Sequence, residues 1–163
     1  MSATTTIRTE PEWDELDHVR EGSEAFLVAQ GVDTDSVHAM VMTACELAEN
    51  AVKYGAFAKG TKVEVTLTVT DGELIVEVRS PLAEESDDQL DRLDEMIQWI
   101  RGFQDPHQAY LERLKEVSEE DLEHEESGLG LVRIAYEGQA TLDFYIDDTQ
   151  SVAVSAVRER VTA

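Results

Sequence analysis

The feature that most constrains the fold is a β-hairpin pattern in the middle of the chain. From Lys62 to Thr70 apolar and polar residues alternate, Asp71-Gly72 follows, and a second β-forming run extends from Glu73 to Arg79. Alternation with period two predicts strands that bury one face, and Asp-Gly between two such runs is typical of a tight turn. The sequence therefore predicts an antiparallel pair of strands with one apolar face.

Further segments predict strands and helices around this hairpin. We expect an edge strand at Thr4–Thr9 and a second hairpin formed by Thr141–Ile146 and Val152–Val157. A helix begins after Pro11 and ends at Gly31. A chain of 163 residues is long enough for one well-buried domain, and we expect a single domain over 1–163. The predicted class is α+β, with a mixed β-sheet covered on one face by helices.

Glu46 and Asn50 lie in the longest predicted helix, a segment without Gly or Pro from Val32 to Tyr54. Asn inside a helix costs roughly 0.6 kcal/mol relative to Ala, so this position calls for an explanation. Residues four apart share one side of a helix, and this side lies opposite the apolar stripe. A carboxylate can accept a proton and an amide oxygen can bind Mg²⁺. On spacing alone a solvated polar face is the simpler explanation, and the sequence leaves both open.

A second motif precedes the last helix. Ser127-Gly128-Leu129-Gly130 runs into the apolar segment Leu131–Ala135. Ser127 can cap a helix, and glycine allows a ligand to approach the backbone closely. The first turn of a helix offers free N–H groups that suit a phosphate. Alone, two glycines in this spacing indicate no more than a turn.

Together the two motifs resemble those of the GHKL ATPases, which have the Bergerat fold, and in particular the small anti-sigma-factor serine kinases of partner-switching systems. The resemblance spans nearly the whole chain and implies a two-layer Bergerat-type sandwich that binds ATP and Mg²⁺. It implies that Glu46 is the general base and Asn50 the metal ligand. The glycine motif, residues 127–130, would contact the phosphates: Ser127, Gly128, Leu129 and Gly130. Lys53 either assists with phosphate charge or lies in solvent.

One motif of that family is absent. An Asp-x-Gly-x-Gly box, whose Asp reads the adenine amino group, usually follows the strand that corresponds here to residues 74–79. In this chain the strand runs into Ser80-Pro81-Leu82, with neither glycine present. Ser80 stands at the position of the Asp and would accept only an uncharged hydrogen bond. The layout is similar to SiaB-like protein kinases, in which this box is atypical and a helical lid follows.

The lid region, residues 81–127, is acidic and rich in helical patterns. It carries 16 acidic and 4 basic residues, a net charge of −12. Leu90, Leu93, Ile97 and Ile100 form one apolar stripe, and a second helix begins at Pro106. These helices either fold back over the ligand pocket or form a dimer or partner surface, so a homodimer is one expectation.

Charge and composition exclude several classes of function. The net charge of −23 argues against binding to nucleic acid or to an anionic membrane, and leaves a basic protein surface as a compatible partner. Adaptation of the host to high salt would explain the same acidity. The N-terminal residues lack the pattern of a signal peptide, so the expected location is cytoplasmic. Cys45 is the only cysteine and is expected to act as a small core residue.

Two functions of different class follow from these observations. The first is an ATP–Mg²⁺-dependent serine/threonine protein kinase that regulates signalling by phosphorylating a small regulatory protein, an antagonist or a sigma-factor-like partner. The alternative is a non-catalytic binding module of the same fold that has lost nucleotide binding. A plain ATPase or a sensor-kinase fragment ranks third, because the chain has no helical hairpin carrying a phosphoacceptor His.

Overall fold

The hairpin in the middle of the chain lies at the centre of a five-stranded sheet. A computed structural model describes residues 2–55, 57, 61–82, 87–119, 129–147 and 150–160. Its strands are β1 (Ala3–Thr9), β2 (Val63–Val69), β3 (Glu73–Pro81), β4 (Thr141–Ile146) and β5 (Ser151–Glu159). The spatial order is β1-β2-β3-β5-β4. Both predicted hairpins and the predicted edge strand are therefore confirmed.

All strand pairings among the described residues are antiparallel, so the prediction of a mixed sheet is wrong in this respect. The hairpin of β4 and β5 folds back so that β5 lies against β3, with Glu73 opposite Glu159 and Pro81 opposite Ser151. β4 runs in the same direction as β3, because both are antiparallel to β5. A parallel pair would therefore form only if β4, rather than β5, lay next to β3. The α+β class and the one-sided helical cover are as predicted.

One face of the sheet is apolar and the other polar. On β2 the side chains Val63, Val65, Leu67 and Val69 are buried, while the residues between them are half-exposed. On the opposite face the hydroxyl groups of Thr4 and Thr68 lie 3.3 Å apart. This alternation follows from the two-residue period of a strand. The buried side chains of the apolar face, the inner face of the sheet, belong to the same hydrophobic core as those of the helices.

The helices are α1 (Leu16–Ala29), α2 (Thr34–Tyr54), α3 (Asp87–Arg101), α4 (Pro106–Glu119) and α5 (Leu129–Tyr136), and a 3-10 turn (Trp13–Glu15) precedes α1. Gly31 has a φ of 76°, which explains why a glycine stands directly after α1. The Asp33 carboxylate accepts a hydrogen bond of 3.0 Å from the backbone N–H of Ser36 and caps α2.

Small residues allow α2 to lie close to the sheet. Met40, Ala44, Ala48 and Ala51 are buried, and the helix packs on β3 and β2. Burial of this stripe fixes the rotation of α2 about its axis. Residues on its flank, including Glu46 and Asn50, are consequently turned toward the space beside the helix.

The lid folds back onto the domain, one of the two arrangements expected from the sequence. Ile97 and Ile100 of α3 are buried in the same hydrophobic core as α2 and the sheet. α4 packs on α5, where the rings of His107 and Tyr136 stack with their centroids 4.7 Å apart. On α4 Ala109 is fully buried, whereas Leu111 remains 49% exposed.

The packing of α3 leads to a test of stability. Ile97→Ala should lower the free energy of unfolding by about 2–5 kcal/mol, because it leaves a void in the core. Leu111→Ala on α4 is the matched control and should change it by less than about 0.5 kcal/mol. Urea unfolding followed by circular dichroism measures both. Equal effects of the two variants would mean that α3 does not pack on the core.

Candidate functional site

A cavity of about 580 Å³ lies between α2, α3 and the inner face of the sheet. That volume is within the range of roughly 300–1,000 Å³ typical of small-molecule sites. β3 and β5 form its floor, α2 and the first turn of α5 form one wall, and α3 forms the roof. The site residues predicted from the sequence that line this cavity are Glu46, Asn50, Lys53, Ser80 and Gly130.

The wall formed by α2 presents the predicted base and metal ligand together. Glu46 and Asn50 are half-buried and both line the cavity, as expected for residues four apart on one side of a helix. Lys53, nearly one turn further on, also lines the cavity and has an exposed side chain. The sequence left open whether this side faces a ligand or water, and the structure turns it toward the cavity.

Gly130 lies against Glu46. A Cβ atom built on Gly130 would come within 2.7 Å of the Glu46 carboxylate atom Oε2. Any larger residue would therefore displace this carboxylate. The sequence predicted that glycine here lets a ligand approach the backbone, whereas the described contact of this glycine is with the Glu46 side chain.

Arg133 holds the other oxygen of the same carboxylate. Its Nη1 donates to Glu46 Oε1 at 3.2 Å, and its Nε donates to Glu137 Oε2 at 2.7 Å. The hydrogen bond to Glu137 and the two carboxylate charges raise the pKa of Arg133 against the opposing effect of burial. The guanidinium thus stays charged and links the two carboxylates. Sequence reasoning missed this residue, although its position three residues after Gly130 places it near the same side of α5.

A second carboxylate, Glu49, lies on the same wall and was also missed. Burial raises its pKa, and the nearby Glu46 carboxylate raises it further, while Arg20 and Arg133 oppose the shift. Glu49 lies one turn after Glu46 on α2, so the spacing of the sequence alone could have placed both on the cavity wall.

Ser80 forms part of the cavity floor. The residue is only 7% exposed, at the end of β3, with Val78, Val152 and Val154 around it. No described residue forms a hydrogen bond with its hydroxyl. Because Ser80 lines the cavity, a ligand bound at this apolar end can reach it.

The roof combines apolar and charged side chains from the lid. Leu93, Met96 and Trp99 of α3 line the cavity. Arg113 of α4 also reaches it and forms an ion pair of 2.8 Å with Glu116. Arg113 was not predicted as a site residue, because helical spacing alone does not show which side of α4 meets α3.

The donor atoms fit a magnesium ion that arrives with phosphates. Among the residues that the structure describes, no three His, Cys, Asp or Glu side chains are grouped to hold a metal ion on their own. Mg²⁺ usually takes one or two protein oxygens and completes its shell with phosphate and water. The Asn50 amide offers such an oxygen on the cavity wall.

The glycine motif is described only in part. Ser127 and Gly128 lie outside the described residues. The backbone of Leu129 begins α5, so Gly130 lies in the first turn of this helix rather than in a loop before it. The assignment of these four residues to phosphate binding stays a prediction.

The fold and the cavity define an α+β domain with a helical roof over a site on the inner face of its sheet. This fold is similar to that of a chain in the crystal structure of the SiaB–SiaC complex from Pseudomonas aeruginosa. The TM-score is 0.71 at 17% sequence identity, and the match covers 94% of this chain and 88% of the other. No model of a protein family and no curated protein matches the sequence.

Two remaining expectations concern Cys45 and membranes. Cys45 is half-buried on α2, and burial raises the pKa of its thiol, as expected for a packing residue rather than a nucleophile. Within the described ranges, no helix is both long enough and apolar enough to cross a membrane.

The raised pKa of Glu49 gives a prediction for the pH dependence of stability. A carboxyl whose pKa is raised in the folded state favours folding below its ordinary value of 4.5, and this contribution is lost as the pH rises through the folded value. Glu49→Gln should therefore be more stable than the parent at pH 7.5, by less than about 1 kcal/mol because the group stays partly solvated. Thermal unfolding at pH 7.5 and pH 4 measures the difference, which should disappear at pH 4. An equal gain at both pH values would contradict the electrostatic cause.

Proposed function

We propose that this protein is an ATP–Mg²⁺-dependent serine/threonine protein kinase that acts on a small regulatory protein. The observation that carries the proposal is the convergence on one cavity of a carboxylate, an amide, a buried hydroxyl and a glycine in the first turn of a helix: Glu46, Asn50, Ser80 and Gly130. These residues come from three separate parts of the chain. The family resemblance implies the roles of general base for Glu46 and metal ligand for Asn50 and places Gly130 in the glycine motif, whereas Ser80 replaces the Asp of that family.

The chemistry assigned to the site is a single phosphoryl transfer. The hydroxyl oxygen of the partner's Ser or Thr forms a bond to the γ-phosphorus while the bond from that phosphorus to the β-phosphate oxygen breaks, and ADP leaves. Glu46 accepts the hydroxyl proton, and Asn50 would hold Mg²⁺, which neutralises phosphate charge. Positioning and charge stabilisation provide most of the catalysis in such reactions.

A regulatory protein is the proposed acceptor for two reasons. The similar structure is that of a complex between two proteins, SiaB and SiaC. The net charge of −23 also favours a partner with a basic surface over a nucleic acid. A cytoplasmic location and a homodimer belong to the same proposal.

The alternative is a binding module that has lost its chemistry. The replacement of the Asp-x-Gly-x-Gly box by Ser80-Pro81-Leu82 favours this alternative, because the carboxylate that would accept a hydrogen bond from the adenine amino group is absent. The cavity and its polar side chains favour the kinase, since a module that only binds protein needs neither. Binding of the partner with equal affinity in the presence and absence of ATP would support the alternative.

Asn50 is the only asparagine in the chain, so one substitution removes the proposed metal ligand and no other asparagine can replace it. Asn50→Ala should lower phosphotransfer by about 100-fold or more, as expected when a preorganised group that stabilises charge is removed. Isothermal titration with ATP and Mg²⁺ should show weakened binding. Gln98→Ala removes an exposed amide from α3 and is the control, with binding expected to match the parent. Phosphotransfer that persists in both Asn50→Ala and Glu46→Ala would overturn the kinase assignment.

Ser80 leads to a prediction about the purine base. A hydroxyl both donates and accepts hydrogen bonds, whereas a carboxylate only accepts. Ser80 can therefore pair with either an amino or a keto group, and ATP and GTP should bind within about tenfold of each other. Ser80→Asp should shift the preference toward ATP by about a further tenfold.

Titration with both nucleotides measures this preference. Ser155→Asp is the matched control, because Ser155 lies on the opposite face of the sheet, where it faces Glu77 across the β3–β5 pair. It should leave the ratio of the two affinities unchanged. A strong preference of the parent protein for ATP would show that another group reads the base.

A further inference from the structure

Glu46 is held by contacts that differ between its two carboxylate oxygens. Oε1 accepts a hydrogen bond of 3.2 Å from Arg133 Nη1. Oε2 lies over the backbone of Gly130, where a Cβ atom would be 2.7 Å away. Glu46 lines the cavity together with Gly130. The carboxylate therefore has one oxygen bound to a guanidinium and the other packed over the first turn of α5.

The guanidinium is itself fixed from a second direction. Arg133 Nε donates to Glu137 Oε2 at 2.7 Å, and Glu137 directly follows the last residue of α5. A guanidinium is planar, so two donors bound to two different carboxylates define its orientation. Glu137, Arg133 and Glu46 thus form a chain of hydrogen bonds from α5 to the wall formed by α2.

We propose that Arg133 is the positioning residue for the general base, and that Oε2 of Glu46 is the atom that receives the proton. This inference rests on the proposed kinase function. Arg133 acts through Glu46 rather than on the substrate, because it is not among the residues that line the cavity. The arrangement follows the general rule that a catalytic base is oriented by a third group.

The exposure of the pair bears on what it does. The side chains of Arg133 and Glu46 are 45% and 21% exposed. An ion pair this accessible to solvent adds little to stability. Its loss should therefore affect the orientation of Glu46 more than the fold.

The kinetic consequence separates a positioning role from a binding role. Arg133→Gln should lower kcat by about 10- to 100-fold, the usual cost of removing a group that orients a site residue. KM for ATP and KM for the acceptor should stay within about twofold of the parent, since Arg133 does not line the cavity. Arg133→Lys keeps the charge but not the planar fork, so it should recover part of the lost kcat.

Arg8→Gln is the matched control. Arg8 also forms a hydrogen-bonded ion pair with a glutamate, Glu64, between two elements, and it lies on β1, away from the cavity. This variant should have the parent's kcat. Circular dichroism checks that every variant is folded, and steady-state phosphotransfer to the partner protein measures both constants. In a Glu46→Gln background, Arg133→Gln should have no further effect on the residual rate.

The outcomes distinguish this inference from the function on which it rests. If the parent transfers phosphate and Arg133→Gln has the same kcat, the positioning role is wrong and the kinase assignment stands. A raised KM for ATP at unchanged kcat would make Arg133 a nucleotide-binding residue and overturn the inference as well. A parent protein that binds ATP without transferring phosphate to any protein overturns both.

Discussion

The close packing of α2 on the sheet is the constraint from which the rest of the site follows. Ala44, Ala48 and Ala51 are buried where α2 packs on β2 and β3, and their small volume lets the helix approach the strands. Once this stripe is buried, the helix cannot rotate without exposing apolar area. The same burial therefore determines that Glu46 and Asn50 face the cavity. The contact of α2 with the sheet thus determines both how the core is packed and where the side chains of Glu46 and Asn50 point.

Much of the fold could be predicted from the sequence because its signals are local. Period-two alternation around Asp71-Gly72 predicts the central hairpin, and Gly31 marks the end of α1. The direction of β5 against β3 could not be predicted in this way. Pairing between residues such as Glu73 and Glu159 is decided by packing of the whole chain, and no local pattern encodes it. The mixed sheet predicted from the sequence was wrong for this reason.

The candidate site shows the same division. Glu46 and Asn50 could be placed on one wall, because helical spacing depends only on the sequence. Arg133 was missed, since its partner lies 87 positions away and only the contact of α5 with α2 brings them together. The apolar surroundings of Ser80 likewise become visible only in the folded chain, where residues of β5 and α3 line the same cavity. Local sequence patterns show which polar side chains lie on one side of a helix or strand. Contacts between distant segments then determine which of these side chains meet in the folded protein.

The distance along the chain between Glu46 and Arg133 has a consequence for biosynthesis. A chain made from its N-terminus can fold as its segments leave the ribosome, and a contact cannot form before both of its partners have been made. The strands β1, β2 and β3 can pair early, but the partner of Glu46 is absent until α5 has been made. The proposed base is thus completed only near the end of synthesis. A nascent or truncated chain that ends before α5 would have the carboxylate without the group that orients it.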